Sequence, residues 1–171
     1  MILSEKYRFL FIHVPKTGGS TIRRWLREYT QNDPLVGIWK NHFRLGDVQH
    51  ALHDGFYNSL FKFAFVRNTW DRLVSNYFFL RKLDDENHWT VDAKALPFKE
   101  YIRANPMPSQ LNWINNEQQE VGVNYIGRFE TFERDWTEIA KRIRVPFPRT
   151  LFKENVSKHR HYSSYYDDDT R

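Results

Sequence analysis

The sequence contains no cysteine, which excludes disulfide frameworks, thiolate metal sites and cysteine nucleophiles. It also lacks any apolar run near the ~18 residues needed to span a bilayer, and with 27% charged residues and a mean hydropathy of −0.73 it reads as a soluble chain with no membrane partner. The opening stretch MILSEKYRFLFIHV has no basic start, long apolar core or small-residue cleavage site, so no secretory leader is read and a cytoplasmic location is expected. The seven histidines show no H-E-x-x-H or related ligand spacing, and no metal is expected.

What is present is enough for one ordinary domain over residues 1–171, because 40% hydrophobic composition in a chain of this length can bury a sizeable core. Aromatic residues make up 17%, with 14 phenylalanines, so rings should build much of that core. A net charge of +5 and a pI near 9.4 favour an anionic partner. Charge by itself does not choose between a nucleotide, a nucleic acid and an acidic polysaccharide.

Residues 7–14 (YRFLFIHV) are aromatic and β-branched with few polar positions, which suits a strand covered on both faces of a parallel sheet. A Gly-rich turn follows, and residues 22–29 place Ile22, Trp25, Leu26 and Tyr29 at helical spacing. The plan repeats at a strand over 61–66 and a helix over 70–82, separated by Arg67, Asn68 and Thr69. Two such units imply an α/β fold of P-loop-like, three-layer type, with a central, mostly parallel sheet flanked by helices. Ligands in such sheets bind at the carboxyl ends of the strands, where both turns lie. Residues 32–55 read as a loop with a short helix near 47–53. Short helices are expected over 98–104 and 109–117, a strand over 123–127, an amphipathic helix over 130–143, and a loop from 146 onward.

The first turn has the ingredients of a phosphate cradle. Gly18 and Gly19 let the backbone approach an anion, the helix start presents N–H groups, Thr17, Ser20 and Thr21 add hydroxyls, and Lys16 adds charge. Because Lys16 precedes the glycines, the turn is not a Walker A loop, which weakens an ATP-dependent kinase reading. In the second unit, Arg67 follows the strand directly and Ser75 lies about two helical turns later, so both suit an anion. The competing assignment for Arg67 is an ion pair with Asp71, and for the tryptophans Trp25, Trp70, Trp113 and Trp136 core packing is preferred over base stacking.

FIHVPKTGGSTI (residues 11–22) and FAFVRNTWDRLVSNYFFL (residues 63–80) together resemble the nucleotide-binding signatures of sulfotransferases that use 3′-phosphoadenosine 5′-phosphosulfate (PAPS), in the branch of carbohydrate O-sulfotransferases and their small bacterial relatives. Residues 11–22 are similar to the 5′-phosphosulfate loop. Residues 63–80 are similar to the 3′-phosphate element, with Arg67 and Ser75 at the phosphate-holding positions and Thr69 where Pro is commoner. Weaker resemblance runs through 126–130 and through residues 155–166, with Lys158 as a further nucleotide contact, and relatives continue past this tail into one more helix.

The resemblance implies transfer of a sulfuryl group from PAPS to a hydroxyl-bearing acceptor, a saccharide by preference, releasing 3′-phosphoadenosine 5′-phosphate (PAP). In-line transfer between two oxygens rests on positioning and charge stabilisation, without a metal. Lys16 is the expected support for the leaving phosphate. His42, upstream of the second motif at about the family's distance, is the expected general base, with His50 as its competitor. On the acceptor side, Gln110 is a candidate by resemblance and Arg128 by its place after a strand, where an ion pair with Glu130 or Glu133 competes. The alternatives are a nucleotide kinase, a PAP- or PAPS-binding relative without turnover, and a basic module for nucleic acid or glycan. The last is disfavoured because the 26 basic residues are spread among 21 acids, so no nucleic-acid partner is expected. Nothing in the sequence fixes the oligomeric state.

Overall fold

The computed structural model describes residues 1–33, 42–146 and 159–170. The chain divides into two compact units, one formed by Met1–Val66 and Ser109–Glu154, the other by Arg67–Pro108 and Asn155–Arg171.

The first unit is built on a four-stranded sheet in the order β1 (Ile2–Ser4), β2 (Phe9–Ile12), β3 (Phe61–Val66), β4 (Tyr125–Arg128). Strands β2, β3 and β4 are parallel, with Phe11 opposite Phe63 and Phe65 opposite Gly127. The first strand is an antiparallel edge, paired Ile2 to Phe11 and Ser4 to Phe9. It is absent from the sequence-based expectation because three residues carry no readable period.

Period-two alternation places Phe9, Phe11, Phe63 and Phe65 on one face and Leu10, Ile12 and Ala64 on the other. The phenylalanine face packs against Ile22 and Leu26 of α1 (Gly19–Thr30) and against Trp136, Ile139, Ala140 and Ile143 of α8 (Phe132–Ile143). The opposite face is covered by α2 (Leu45–Ala51), α3 (Asp54–Ser59) and α7 (Leu111–Ile114), through Leu45, Val48, Tyr57 and Ile114. Helices on both faces of a mostly parallel sheet are the expected three layers. Each of the four rings is fully buried, and burial of one such side chain contributes roughly 1.5–3 kcal/mol. A one-residue slip of β2 would expel Phe9 and Phe11 together, so the register is strongly specified.

The second unit packs α4 (Thr69–Leu80), α5 (His88–Ala95) and α6 (Phe98–Ala104) around Val74, Tyr77, Ala93, Phe98 and Tyr101. Asn68 caps α4 by accepting from the N–H groups of Trp70 and Asp71. A buried arginine, Arg72, donates to the Pro108 carbonyl at 2.9 Å, and burial lowers its pKa to about 10. Helix α5 and most of α3 fall where the sequence reading assigns no element, and the helix expected over 109–117 contracts to four residues. The tail residues Tyr165 and Tyr166 pack against Phe98, and the Tyr166 hydroxyl donates to the Trp70 carbonyl. Among the described residues no helix is long and apolar enough to cross a membrane.

Candidate active site

Strand β2 ends at Ile12, and six residues separate it from α1. In that short span the backbone turns twice through the left-handed region, at Lys16 (φ 68°) and at Gly18 (φ 85°). Gly18 accepts this conformation without strain, whereas for a lysine it costs roughly 1–2 kcal/mol. The surroundings fix the turn. Thr17 is buried, and its hydroxyl donates to the Val14 carbonyl at 2.8 Å, so this side chain braces the loop.

A Cβ on Gly18 would lie 3.2 Å from the Phe132 ring and 3.3 Å from Phe129. Those rings are held by Asp135, a buried carboxylate that accepts from the Arg128 N–H (2.8 Å), the Thr131 hydroxyl (2.7 Å) and Arg134 (3.0 Å). Burial alone would raise the Asp135 pKa. The bonds from Arg128, Thr131 and Arg134 outweigh it and lower the pKa. The end of β4 and the start of α8 thereby form the wall behind the Lys16 loop.

Gly18, Gly19 and Ser20 head α1, where the first N–H groups of a helix have no intrahelical partner. The Thr21 N–H already bonds the Gly18 carbonyl at 3.1 Å, which removes it from the set of amides expected to meet an anion.

His42 stands beside this loop. Its Nδ1 lies 3.1 Å from the His13 carbonyl; a carbonyl only accepts, so Nδ1 carries the proton and the neutral ring keeps its lone pair on Nε2. Desolvation lowers the His42 pKa, the bond to His13 opposes this, and the positive charges of the Met1 amino group and Arg23 add to the lowering. A histidine that is neutral near pH 7 with a fixed Nε2 lone pair suits proton abstraction.

His13 lies inside the stretch 11–22 quoted above, but nothing in the sequence singles it out as a candidate. It is buried, its ring centroid lies 4.5 Å from that of His42, and burial foremost lowers its pKa to about 2, with Met1, His42, Arg23 and Lys16 adding to the effect. Its inward orientation is the one signal available beforehand, because positions 9, 11 and 13 share one face of a strand.

The remaining predicted residues fall as follows. His50 is exposed on α2, with Nδ1 3.3 Å from Glu117. Gln110 is the N-cap of α7, and Arg128 is exposed at the carboxyl end of β4. In the second unit Arg67 forms the competing ion pair with Asp71, Nε to Oδ2 at 2.8 Å. The buried Ser75 lies one turn beyond Asp71, so residues 67, 71 and 75 follow one another along one side of the chain entering α4. Of the tryptophans, Trp136 is fully buried against Trp25 at 4.6 Å, as expected, whereas Trp70 is 45% exposed. Lys158 lies outside the described residues.

The model of the Sulfotransferase family matches residues 1–170. The chain belongs to this family. Its Lys16 loop and its second element therefore sit in a sulfotransferase sequence matched along nearly all its length, and sulfuryl transfer to an acceptor is the family's general chemistry. The chain is also similar to an uncharacterised protein of Archaeoglobus fulgidus, 28% identical over 103 residues, which spans 58% of this chain and 77% of that protein. No solved structure matches the chain.

Proposed function

We propose that the protein moves a sulfuryl group from PAPS to a hydroxyl of a saccharide. The single observation carrying this is the pairing, at the carboxyl end of β2, of a left-handed Lys16 in a glycine turn with a histidine whose Nδ1 is committed to the His13 carbonyl. A Cβ at Gly18 would press on Phe132 and Phe129 and one at Gly19 would collide with the His13 ring, so the turn is tailored to glycine, and the head of α1 supplies oriented N–H groups of the kind that suit a phosphosulfate.

In this proposal Nε2 of His42 takes the acceptor hydroxyl's proton as its oxygen bonds sulfur, and the bond from sulfur to the phosphate oxygen breaks. Lys16 and the amides of Gly18, Gly19 and Ser20 stabilise the negative charge left on that phosphate. The same proposal gives Arg67 and Ser75 the 3′-phosphate. Positive charge overall favours an acidic saccharide as acceptor.

Thermal denaturation with added nucleotide tests it. PAP at ~100 times its Kd should stabilise the chain by about 2.7 kcal/mol, which for this size raises Tm by ~5–10 °C. ATP with Mg²⁺ should not. Stabilisation by ATP with Mg²⁺ and none by PAP would replace the sulfotransfer reading of the site with a kinase one. A screen of saccharides with labelled PAPS identifies the acceptor.

A further inference from the structure

Behind His42 the structure holds a file of rings that the reaction outlined above leaves unexplained. Phe63 and Phe11 stack at 5.3 Å, Phe11 and His13 at 5.9 Å with planes 22° apart, and His13 meets His42 at 4.5 Å. His13 is 6% exposed, and among the described residues its Nδ1 has no hydrogen-bond partner. Leaving such an atom buried costs roughly 1–3 kcal/mol, a cost that an apolar ring at this position would avoid. The other edge of the ring is pressed on α1: a Cβ on Gly19 would lie 2.0 Å from His13 Cδ2 and 2.2 Å from Nε2. The imidazole is thus clamped between the sheet, the helix start and His42.

We propose that His13 is a positioning residue, whose clamped ring and carbonyl together hold His42 with Nδ1 toward the main chain and Nε2 toward the acceptor hydroxyl. This rests on the assignment of His42 as base. The carbonyl fixes one point of the His42 ring, and a single hydrogen bond leaves the ring free to swing about it. The His13 ring covers one face and removes that freedom. Of the basic groups facing the pair, burial foremost lowers the Met1 amino group to about 5, so near neutral pH it carries little charge, while Arg23 opposes protonation of both imidazoles and Lys16 that of His13, which keeps the His42 lone pair available.

The test is long-range ¹H–¹⁵N correlation of the imidazoles in the labelled full chain across a pH titration, with the His42 signals assigned by their loss in His42→Gln. In the unaltered protein His42 is expected in the Nδ1–H form, titrating below the ordinary imidazole value of about 6.5. His13→Ala should move the midpoint up toward that value and bring back the Nε2–H form that free imidazole side chains prefer. Turnover should fall ~10- to 100-fold, in the range of a lost acid–base contribution, with the acid limb of kcat/KM moving to higher pH. His13→Phe, which keeps a flat ring, should retain the Nδ1–H form.

If His42 in the unaltered chain shows the Nε2–H form, or if His13→Ala folds and leaves its tautomer and midpoint unchanged, the proposal is overturned. The first of these needs no variant, so it decides even if His13→Ala does not fold. A chain with the expected tautomer behaviour but no PAP binding would uphold the positioning and overturn the sulfotransfer assignment instead.

Discussion

Acid should weaken this fold through His13, and the size of the effect follows from its burial. The ring is 6% exposed and its folded pKa is lowered to about 2, against about 6.5 in an unfolded chain. A group whose pKa is depressed by folding stabilises the native state above the unfolded pKa, and that stability drains away as pH falls toward the folded value. Between about pH 7 and about pH 4.5 the unfolded imidazole takes up a proton that the native one refuses, over a span equivalent to about 1.9 pH units of full linkage. At 1.36 kcal/mol per pH unit this amounts to about 2.6 kcal/mol. The folded pKa need only lie well below about 4.5 for the figure to hold. Urea denaturation of the protein and of His13→Phe at both pH values isolates the effect, because groups common to both chains cancel in the double difference. The variant should lose about 2.6 kcal/mol less on acidification. Equal losses in the two proteins would mean that the imidazole protonates in the native state, and the account of a dry, clamped ring would be wrong.

Three further outcomes are expected. Lys16→Gly removes both the left-handed strain and the ammonium, so stability should stay within about 1 kcal/mol while turnover with PAPS falls ~10²- to 10³-fold, read from Tm and from labelled sulfate transfer. Gly19→Ala would gain ~1 kcal/mol from helix propensity on an open surface, but a methyl 2.0 Å from the His13 ring should reverse the sign and cost ~1–3 kcal/mol or more, visible as a lowered denaturation midpoint. Asp71→Asn loses the charge that holds Arg67 at Nε and should weaken PAP binding about tenfold, consistent with ~1.5 kcal/mol for a charge-assisted bond. Calorimetry measures it, and unchanged affinity would show that the ion pair has no part in nucleotide binding.

The central strands, their parallel pairing and the three layers are legible in the sequence because 9–12 and 61–66 are runs too apolar to be anything but buried, each followed by a turn and a helical period. The edge strand over Ile2–Ser4 is not legible, since its pairing is a long-range event that three residues do not announce. Helices α3 and α5 are short and mixed in polarity, and what stabilises them is packing of Tyr57 and Ala93, which no local pattern reveals. In the site, Lys16 and its glycines are visible from residue type, and Asp71 only as a rival for Arg67. His13 stays hidden because a histidine inside a strand reads as filler until the neighbour across from it is known. The bond between His42 and the His13 carbonyl joins residues 29 apart in sequence, beyond the reach of any periodicity.

The row of rings from Phe63 to His42 has a consequence for how such a protein can change. A base carried on a loop can migrate as the loop is rebuilt, whereas one propped on the innermost packing cannot drift without unsettling the interior. Under the proposed reaction, new acceptors would therefore have to be accommodated by reshaping what surrounds the histidine, while the histidine itself stays anchored like a post driven into the foundation.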